Sequence, residues 1–301
     1  MSYKLAVLTT YYNPSHSKIR TKLYREFSDR MYEVESQEIH GEQEVLYIPI
    51  ELNSTDFEEN VPGIGQSVHS PDQLFYKENL LKLALKNVPV DCMYVVWLDN
   101  DISFVRQDWV EATIEAMKNY DVVQLFSQVH DLTAAYEESE TVLPGFGVSL
   151  VKNEMPFMLS PFGFAWAARK SFLDFVGGLC DAAPVVTAGD EFMAYALTGK
   201  VGELQKKYGL SDAYMKPWVA WQGFVQIWEP RIGYVPGLIH HYWHGKRSDR
   251  GYQTQWDLIK KYDYTDDKFL YRDDTGLWRL KEPEGAFAQE LKAWFAARNE
   301  E

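Results

Sequence analysis

The sequence predicts a single α/β domain, with a mostly parallel sheet flanked by helices and a small C-terminal helical appendage. Three observations carry that expectation. Apolar strand-like runs alternate with helical stretches over the first 126 residues, as in a parallel sheet with crossover helices. Two of those runs end in polar residues, where such sheets place their ligands. The chain has 301 residues, nearly half of them apolar, enough to bury one large core.

The elements follow in order. Lys4–Thr10 reads as a buried parallel strand with a polar end, followed by the loop Tyr11–Ser15 and a helix to about Met31. Glu44–Ile50 reads as a second strand, and residues 52–69 as loop, broken by Pro62-Gly63 and Gly65. Ser70-Pro71-Asp72 is a helix-start signature, predicting a helix over Gln73–Leu85. Met93–Leu98 is the strongest strand. Trp109–Met117 reads as a helix and Asp121–Phe126 as a strand.

In the second half, Ser160–Trp166 is expected to be a Gly-containing aromatic loop feeding a helix, and Gly189-Asp190-Glu191 to open a helix through Leu197. Gly233–Trp243 reads as one strand, Ser248–Tyr262 as helical, and Glu284–Arg298 as an amphipathic helix. The pattern breaks near Asp263–Lys268, so residues 1–265 are taken as the main domain and 266–301 as a C-terminal extension with an amphipathic helix.

Composition narrows the function. A net charge of −14 does not steer the chain towards a polyanion, although local basic patches remain. Cys92 and Cys180 match no zinc spacing and read as free thiols in a reducing compartment. No apolar run approaches the roughly 20 residues that span a bilayer, and no signal peptide is visible, so a cytoplasmic protein is expected.

Asp99-Asn100-Asp101 places two carboxylates at the end of a buried strand. Unpaired, they repel each other and resist desolvation, and a hard divalent cation such as Mg2+ or Mn2+ removes that cost. Asp and Asn are also common turn residues, so the motif alone is weak. Three imidazoles lie close together in His240-His241-Tyr242-Trp243-His244-Gly245-Lys246-Arg247. One of them can complete a cation site, and Lys246 and Arg247 can neutralise a diphosphate. Asp190 and Glu191 sit where acids commonly favour a helix N-terminus, and either also suits a general base.

Taken in this order, the segments resemble the GT-A glycosyltransferases, and more closely a group of short phage and bacterial enzymes of that fold. The resemblance rests on Lys77-Glu78 with Leu80-Leu81, Val96–Phe104 around Asp99-x-Asp101, and Val123–Phe126. It continues with Gly163–Arg169, Gly189-Asp190, His241-x-Trp243-His244-Gly245 and Arg250-x-Tyr252. It covers about residues 4–262.

The resemblance implies a Rossmann-like domain binding a nucleotide sugar, a UDP-sugar in first place, with Mn2+ or Mg2+. It implies that Asp99 and Asp101 hold the ribose and the metal-diphosphate, with His241 or His244 as a late metal ligand. Thr9, Thr10 and Tyr11 would line the base site, with Asn13 and Asn100 close by, and Lys77 would approach the nucleotide. Gly163, Phe164 and Trp166 would form the sugar-facing loop, Lys246, Arg247 and Tyr252 the late binding segment. Asp190, with Glu191 beside it, would be the base or the acceptor-binding acid.

Two acceptors compete. Some phage enzymes of the resembled group are associated with modified DNA, which tips the expectation slightly towards a 5-hydroxymethylpyrimidine, flipped from the duplex and gripped through Lys206-Lys207, Lys246–Arg250 and Lys260-Lys261, in the host cytoplasm if the chain is phage-encoded. The other acceptor is a surface glycan or a lipid-linked sugar. Outside the transferases, a metal-dependent nucleotide-sugar hydrolase or phosphoesterase would use the same acids, and a carbohydrate-binding protein would use the aromatic surface alone.

Overall fold

The computed structural model describes residues 3–37, 44–54, 66–153, 160–252 and 254–298. The first half comprises β1 (Leu5–Tyr11), α1 (Lys18–Ser36), β2 (Val45–Asn53), β3 (Gln66–His69), α2 (Lys77–Leu85), β4 (Tyr94–Leu98), β5 (Ile102–Phe104), α3 (Trp109–Met117) and β6 (Val122–Gln124). Next come β7 (Gln128–Leu132), β8 (Glu138–Pro144), α4 (Phe146–Lys152), β9 (Ala165–Arg169), α5 (Lys170–Val176), α6 (Gly189–Leu197), α7 (Val201–Tyr208) and α8 (Asp212–Trp228). The chain continues with β10 (Ile232–Tyr234), β11 (Leu238–His241), α9 (Gln255–Lys261), α10 (Asp266–Phe269), β12 (Leu270–Arg272), β13 (Trp278–Leu280) and α11 (Ala286–Ala296).

The expected α/β architecture is present. Seven strands form the main sheet in the order β10-β6-β9-β4-β1-β2-β3. β1 runs parallel to β2 and β4, β2 to β3, and β6 to β10; β9 is antiparallel to both β4 and β6. All five residues of β4 are buried, as a strand covered on both faces requires. Its side chains alternate between two cores. Val95 and Trp97 join Leu8 on one side, while Val96 and Leu98 join Val7 on the other.

A second sheet, β5-β11-β7-β8, flanks the carboxyl ends of the main one. β11 lies between β5, antiparallel, and β7, parallel. A third, two-stranded sheet joins β12 to β13. It docks onto α2, where Asn79 Nδ2 donates to the Gly276 carbonyl (3.1 Å) and Tyr76 Oη to the Trp278 carbonyl (3.1 Å). α11 buries Phe287, Leu291 and Phe295 in the core that also holds Leu80 and Phe192. Among the described residues, no helix is long and apolar enough to cross a membrane.

Several elements differ from expectation, each for a local reason. Residues 66–69 form β3 rather than loop, an edge strand with too little apolar patterning to announce itself. The helix expected from Gln73 starts at Lys77. The Ser70 hydroxyl is held by Tyr76 and the Asp72 N–H, and the Phe75 N–H is drawn to the Pro184 carbonyl. The aromatic loop at 160–164 feeds a strand, β9, before its helix. The long strand expected over Gly233–Trp243 is divided at Val235-Pro236-Gly237 into β10 and β11, which belong to different sheets.

Candidate active site

A cleft of about 620 Å³ opens over the carboxyl ends of β1 and β4. It has two chemically different poles, and the turn after β4 contributes a carboxylate to each.

At the first pole, Asp101 meets two histidines. His244 Nε2 lies 3.1 Å from Asp101 Oδ2, and His241 Nε2 lies 3.8 Å from the same oxygen. The backbone fixes this meeting, since the Tyr242 N–H donates to the Asp101 carbonyl (2.8 Å) and β11 pairs with β5. His241 Nδ1 is held at 2.7 Å by Asp131 on β7, which sets the ring's orientation and leaves Nε2 facing the cleft. Burial opposes charge on His241, but its hydrogen bond and attraction to Asp101, and then those to Asp131, push it up to about 9. Burial likewise opposes charge on Asp101, and the two histidines hold it well below the usual carboxylate range. Burial brings His244 down to about 4 against the pull of Asp101, aided by the positive charges of Arg20 and Arg250.

Asp101, His241 and His244 each offer a ligand atom within 4.8 Å of the others. Asp101 Oδ1 and His244 Nδ1 are buried and lack hydrogen-bond partners. A buried carboxylate oxygen without a partner is costly, and a divalent cation relieves that cost. One carboxylate and two imidazoles therefore fit a cation, and their nitrogens favour Mn2+ over Mg2+, which prefers oxygen donors throughout.

At the second pole, Lys77 bridges two acids, with Nζ 2.6 Å from Asp99 Oδ1 and 2.8 Å from Asp190 Oδ2. Attraction to Asp190 and Asp99 outweighs burial and raises Lys77 well above its ordinary value. Burial raises Asp99 to about 6; Lys77 opposes that rise, and Asp190 and Asp101 add to it. Glu78 lies beneath the start of α6, where a Cβ on Gly189 would collide with its carboxyl. Burial and then the charge of Asp190 raise Glu78 to about 8.

The loop before β9 ties the poles together. The Phe164 N–H donates to Asp99 Oδ2 (3.0 Å) and its carbonyl accepts from the Asp99 N–H (2.7 Å). Its ring centroid lies 4.8 Å from that of His241. Phe164 holds φ at +79°, a region costly for a non-glycine residue. Next to it, a Cβ on Gly163 would sit 2.9 Å from Asp190 Oδ2 and 3.6 Å from Asp99 Oδ2, so only glycine leaves the carboxylates room.

Of the residues expected at the site, the cleft gathers Thr10, Lys77, Asp99, Asn100, Asp101, Gly163, Phe164, Asp190, Glu191, His241, His244 and Tyr252. Asp99 stands outside the three-ligand group, tied to Lys77 instead. Both oxygens of Glu191 are engaged, one by Lys207 Nζ (2.7 Å) and one by Tyr208 Oη (2.7 Å).

Others lie elsewhere. Thr9 is fully buried, its hydroxyl donating to the Leu98 carbonyl. Tyr11 stacks on Tyr24, and Asn13 secures the start of α1 by accepting from the Ser17 N–H. Trp166 is a core residue stacked on Trp97, its Nε1 anchoring the loop through the Phe162 carbonyl. Lys246 is exposed and does not line the cleft. The Arg247 side chain lies outside the described residues. Their place beside the cation pole is taken by Arg20 on α1 and by Arg250, while Arg298, just past α11, also lines the cleft.

Sequence reasoning missed Tyr12, Arg20, Asp131 and Arg298. Two of them carried a signal. Tyr12 continues the period-two alternation from Thr10, and Arg20 places a cation in a helix's first turn, where the dipole disfavours it. Asp131 and Arg298 gave none.

No protein-family model matches the chain, and no curated protein matches it in sequence. Solved structures do. A Drosophila beta-1,4-galactosyltransferase 7 mutant, in complex with manganese, UDP-Gal and xylobiose, matches at 10% identity and a TM-score of 0.39, over 66% of this chain and 62% of that one. A protein described as a nucleotide-diphospho-sugar transferase, from Desulfovibrio desulfuricans, matches at 12% identity and a TM-score of 0.36, over 87% and 96%. The 4-diphosphocytidyl-2C-methyl-D-erythritol synthase of Anaerococcus prevotii matches at 11% and 0.36, over 79% and 90%. This chain thus spans about 62% of the Drosophila chain. Scores this low carry no functional argument to this chain.

Proposed function

We propose that the protein is a metal-dependent glycosyltransferase that moves a sugar from a nucleotide-diphosphate donor, a UDP-sugar in first place, to an acceptor hydroxyl. The observation that carries this reading is the division of one cleft into a cation-binding pole and a carboxylate pole, with Asp101 and Asp99 two residues apart. A diphosphate needs concentrated positive charge and the acceptor needs a base. This cleft offers both.

Asp101, His241 and His244 would hold Mn2+, with Asp131 fixing the His241 ring. The bound ion supplies Lewis-acid neutralisation of the departing diphosphate. Arg20 and Arg250 add fixed positive charge beside it, and arginine forks suit phosphate oxygens. Thr10 and Tyr12 line the nucleoside end, where Asn100 Nδ2 pins the turn by donating to the Thr10 carbonyl (2.9 Å). Lys77 Nζ holds Asp190 Oδ2 at 2.8 Å, with that oxygen beside Gly163. We assign Asp190 as the base that takes the acceptor's proton; Glu191, with both oxygens engaged, positions Lys207 and Tyr208 instead.

Lys207 is neutralised by Glu191, and Lys261 by Glu290 (2.6 Å). Two lysines of the surface expected to grip DNA phosphates are thereby occupied, which favours a saccharide acceptor over a flipped hydroxymethylpyrimidine. Tyr208, which lines the cleft, is stacked on Trp256 at 4.0 Å and carries Lys207 Nζ over its ring at 4.7 Å.

A thermal-shift panel of nucleoside diphosphates and their sugars, with Mn2+ or with chelator, tests the donor. Stabilisation by one nucleotide family that requires Mn2+ is expected, followed by transfer to saccharide rather than to hydroxymethylated DNA. Nucleotide binding indifferent to chelator would overturn the reading. Donor turnover that yields only free sugar, whatever the acceptor, would make the protein a hydrolase.

A further inference from the structure

Neighbouring residues of a strand look to opposite faces, and β11 and β7 run side by side in register. His241 opposite Asp131 forms one such pair and turns to the cleft. His240 opposite His130 forms the next and turns the other way. The His130 and His240 ring centroids lie 6.2 Å apart on that outer face.

Glu138, at the start of β8, reaches across both. Its Oε1 lies 3.1 Å from His240 Nε2, and its Oε2 lies 3.7 Å from His130 Nδ1. All three residues can present a ligand atom within 4.8 Å of the other two. His130 is only 9% exposed, and its Nδ1 is buried without a hydrogen-bond partner. A plain Glu138–His240 ion pair leaves that nitrogen unexplained. Glu138, with 60% of its side chain exposed, leaves a path from solvent.

We propose that His130, Glu138 and His240 form a second divalent-cation site, separate from the one in the cleft and on the opposite face of the β7–β11 pair. Two imidazoles and one carboxylate leave the fourth tetrahedral position to water, and this nitrogen-rich set suits Zn2+ rather than Mg2+ or Ca2+. Such an ion clips three strands together. It braces the pair that carries Asp131 and His241, so it supports the cleft without touching its ligands.

The test is a count of bound metal that does not depend on turnover or on a donor. Chelator-stripped protein is titrated calorimetrically with Zn2+, and the bound metal is measured by elemental analysis. Two ions per chain are expected for the wild type. Glu138→Gln and His240→Asn alter solvent-reached side chains and should each lose one ion, with folding checked by circular dichroism. His244→Asn, in the cleft, should keep the outer ion, and His240→Asn combined with His244→Asn should bind none. Outer-face variants that keep every ion the wild type binds would overturn the second site and leave the proposed transferase activity untouched, whereas a single wild-type ion lost in His240→Asn but kept in His244→Asn would uphold this site and count against the cation in the cleft.

Discussion

Asp99 and Asp101 leave the same strand two residues apart, yet their charges are met in opposite ways. Asp99 is satisfied from within by Lys77 and by the Phe164 N–H. Asp101 shares one oxygen with two imidazoles and leaves the other buried without a partner. The difference separates a pole that is complete in the protein alone from a pole completed by an ion. Asp266 shows a third solution. It takes hydrogen bonds from Tyr264 Oη (2.7 Å) and the Ala183 N–H (3.0 Å), with the Arg272 charge a lesser influence. Burial pushes it up to about 6 despite them.

The comparison breaks most clearly at Asp101. Asp101→Asn removes a charge from the cation pole and should lower donor turnover at saturating Mn2+ on the order of 1,000-fold. Thermal stability without metal should fall little by comparison. A variant with near-wild-type turnover would show that the ion-completed pole is not where the diphosphate docks.

At the self-sufficient pole the main effect should be on stability. Lys77→Met strands Asp99 against Asp190 and should cost on the order of 3 kcal/mol, seen as a lowered urea midpoint with or without Mn2+. Adding Asp99→Asn should recover much of that loss, because the uncompensated charge is then gone. If Lys77→Met leaves the midpoint unmoved, the two poles are not distinguished by how their charge is met.

Asp266 should give the smallest effect and a definite sign with pH. Its folded-state value lies above the usual 3.8, so the folded protein holds the proton more tightly. The stability tied to that proton is therefore present below about pH 4 and is lost as pH rises through about 6, at most about 3 kcal/mol. Asp266→Asn should escape that loss. Its melting temperature relative to wild type should climb between pH 4 and pH 7 and then level off; a difference flat across that range would refute the assignment.

The parts of the fold legible in the sequence are those set by local pattern. Trp109–Met117 is helical as read, with Trp109, Val110, Thr113 and Met117 on its buried face. The strand before Asp99 needed only a run of apolar residues. The second sheet was not legible, because Gln128–Leu132 and Glu138–Pro144 mix polar and apolar residues and gain their meaning only beside β11. The same holds at the site. Asp99, Asp101, His241 and His244 advertise their chemistry by residue type and clustering. The lysine that divides the two aspartates' roles lies on α2, away from the turn that carries them, and nothing in Asp-Asn-Asp tells which carboxylate it will take. Asp131 and Arg298 depend wholly on tertiary placement. Conversely, Thr9 and Trp166 sit in the expected segments but on the core-facing side, where period two assigns them to packing.

Phe164 belongs to both poles at once. Its backbone is bonded to Asp99, its ring lies against His241, and its φ is +79°. A substitution at Asp99 is therefore expected to reach His241 through this residue, and one at His241 to reach Asp99. Ion affinity and carboxylate geometry are thus linked variables, and substitutions meant to retune one end of the cleft will retune the other through this residue.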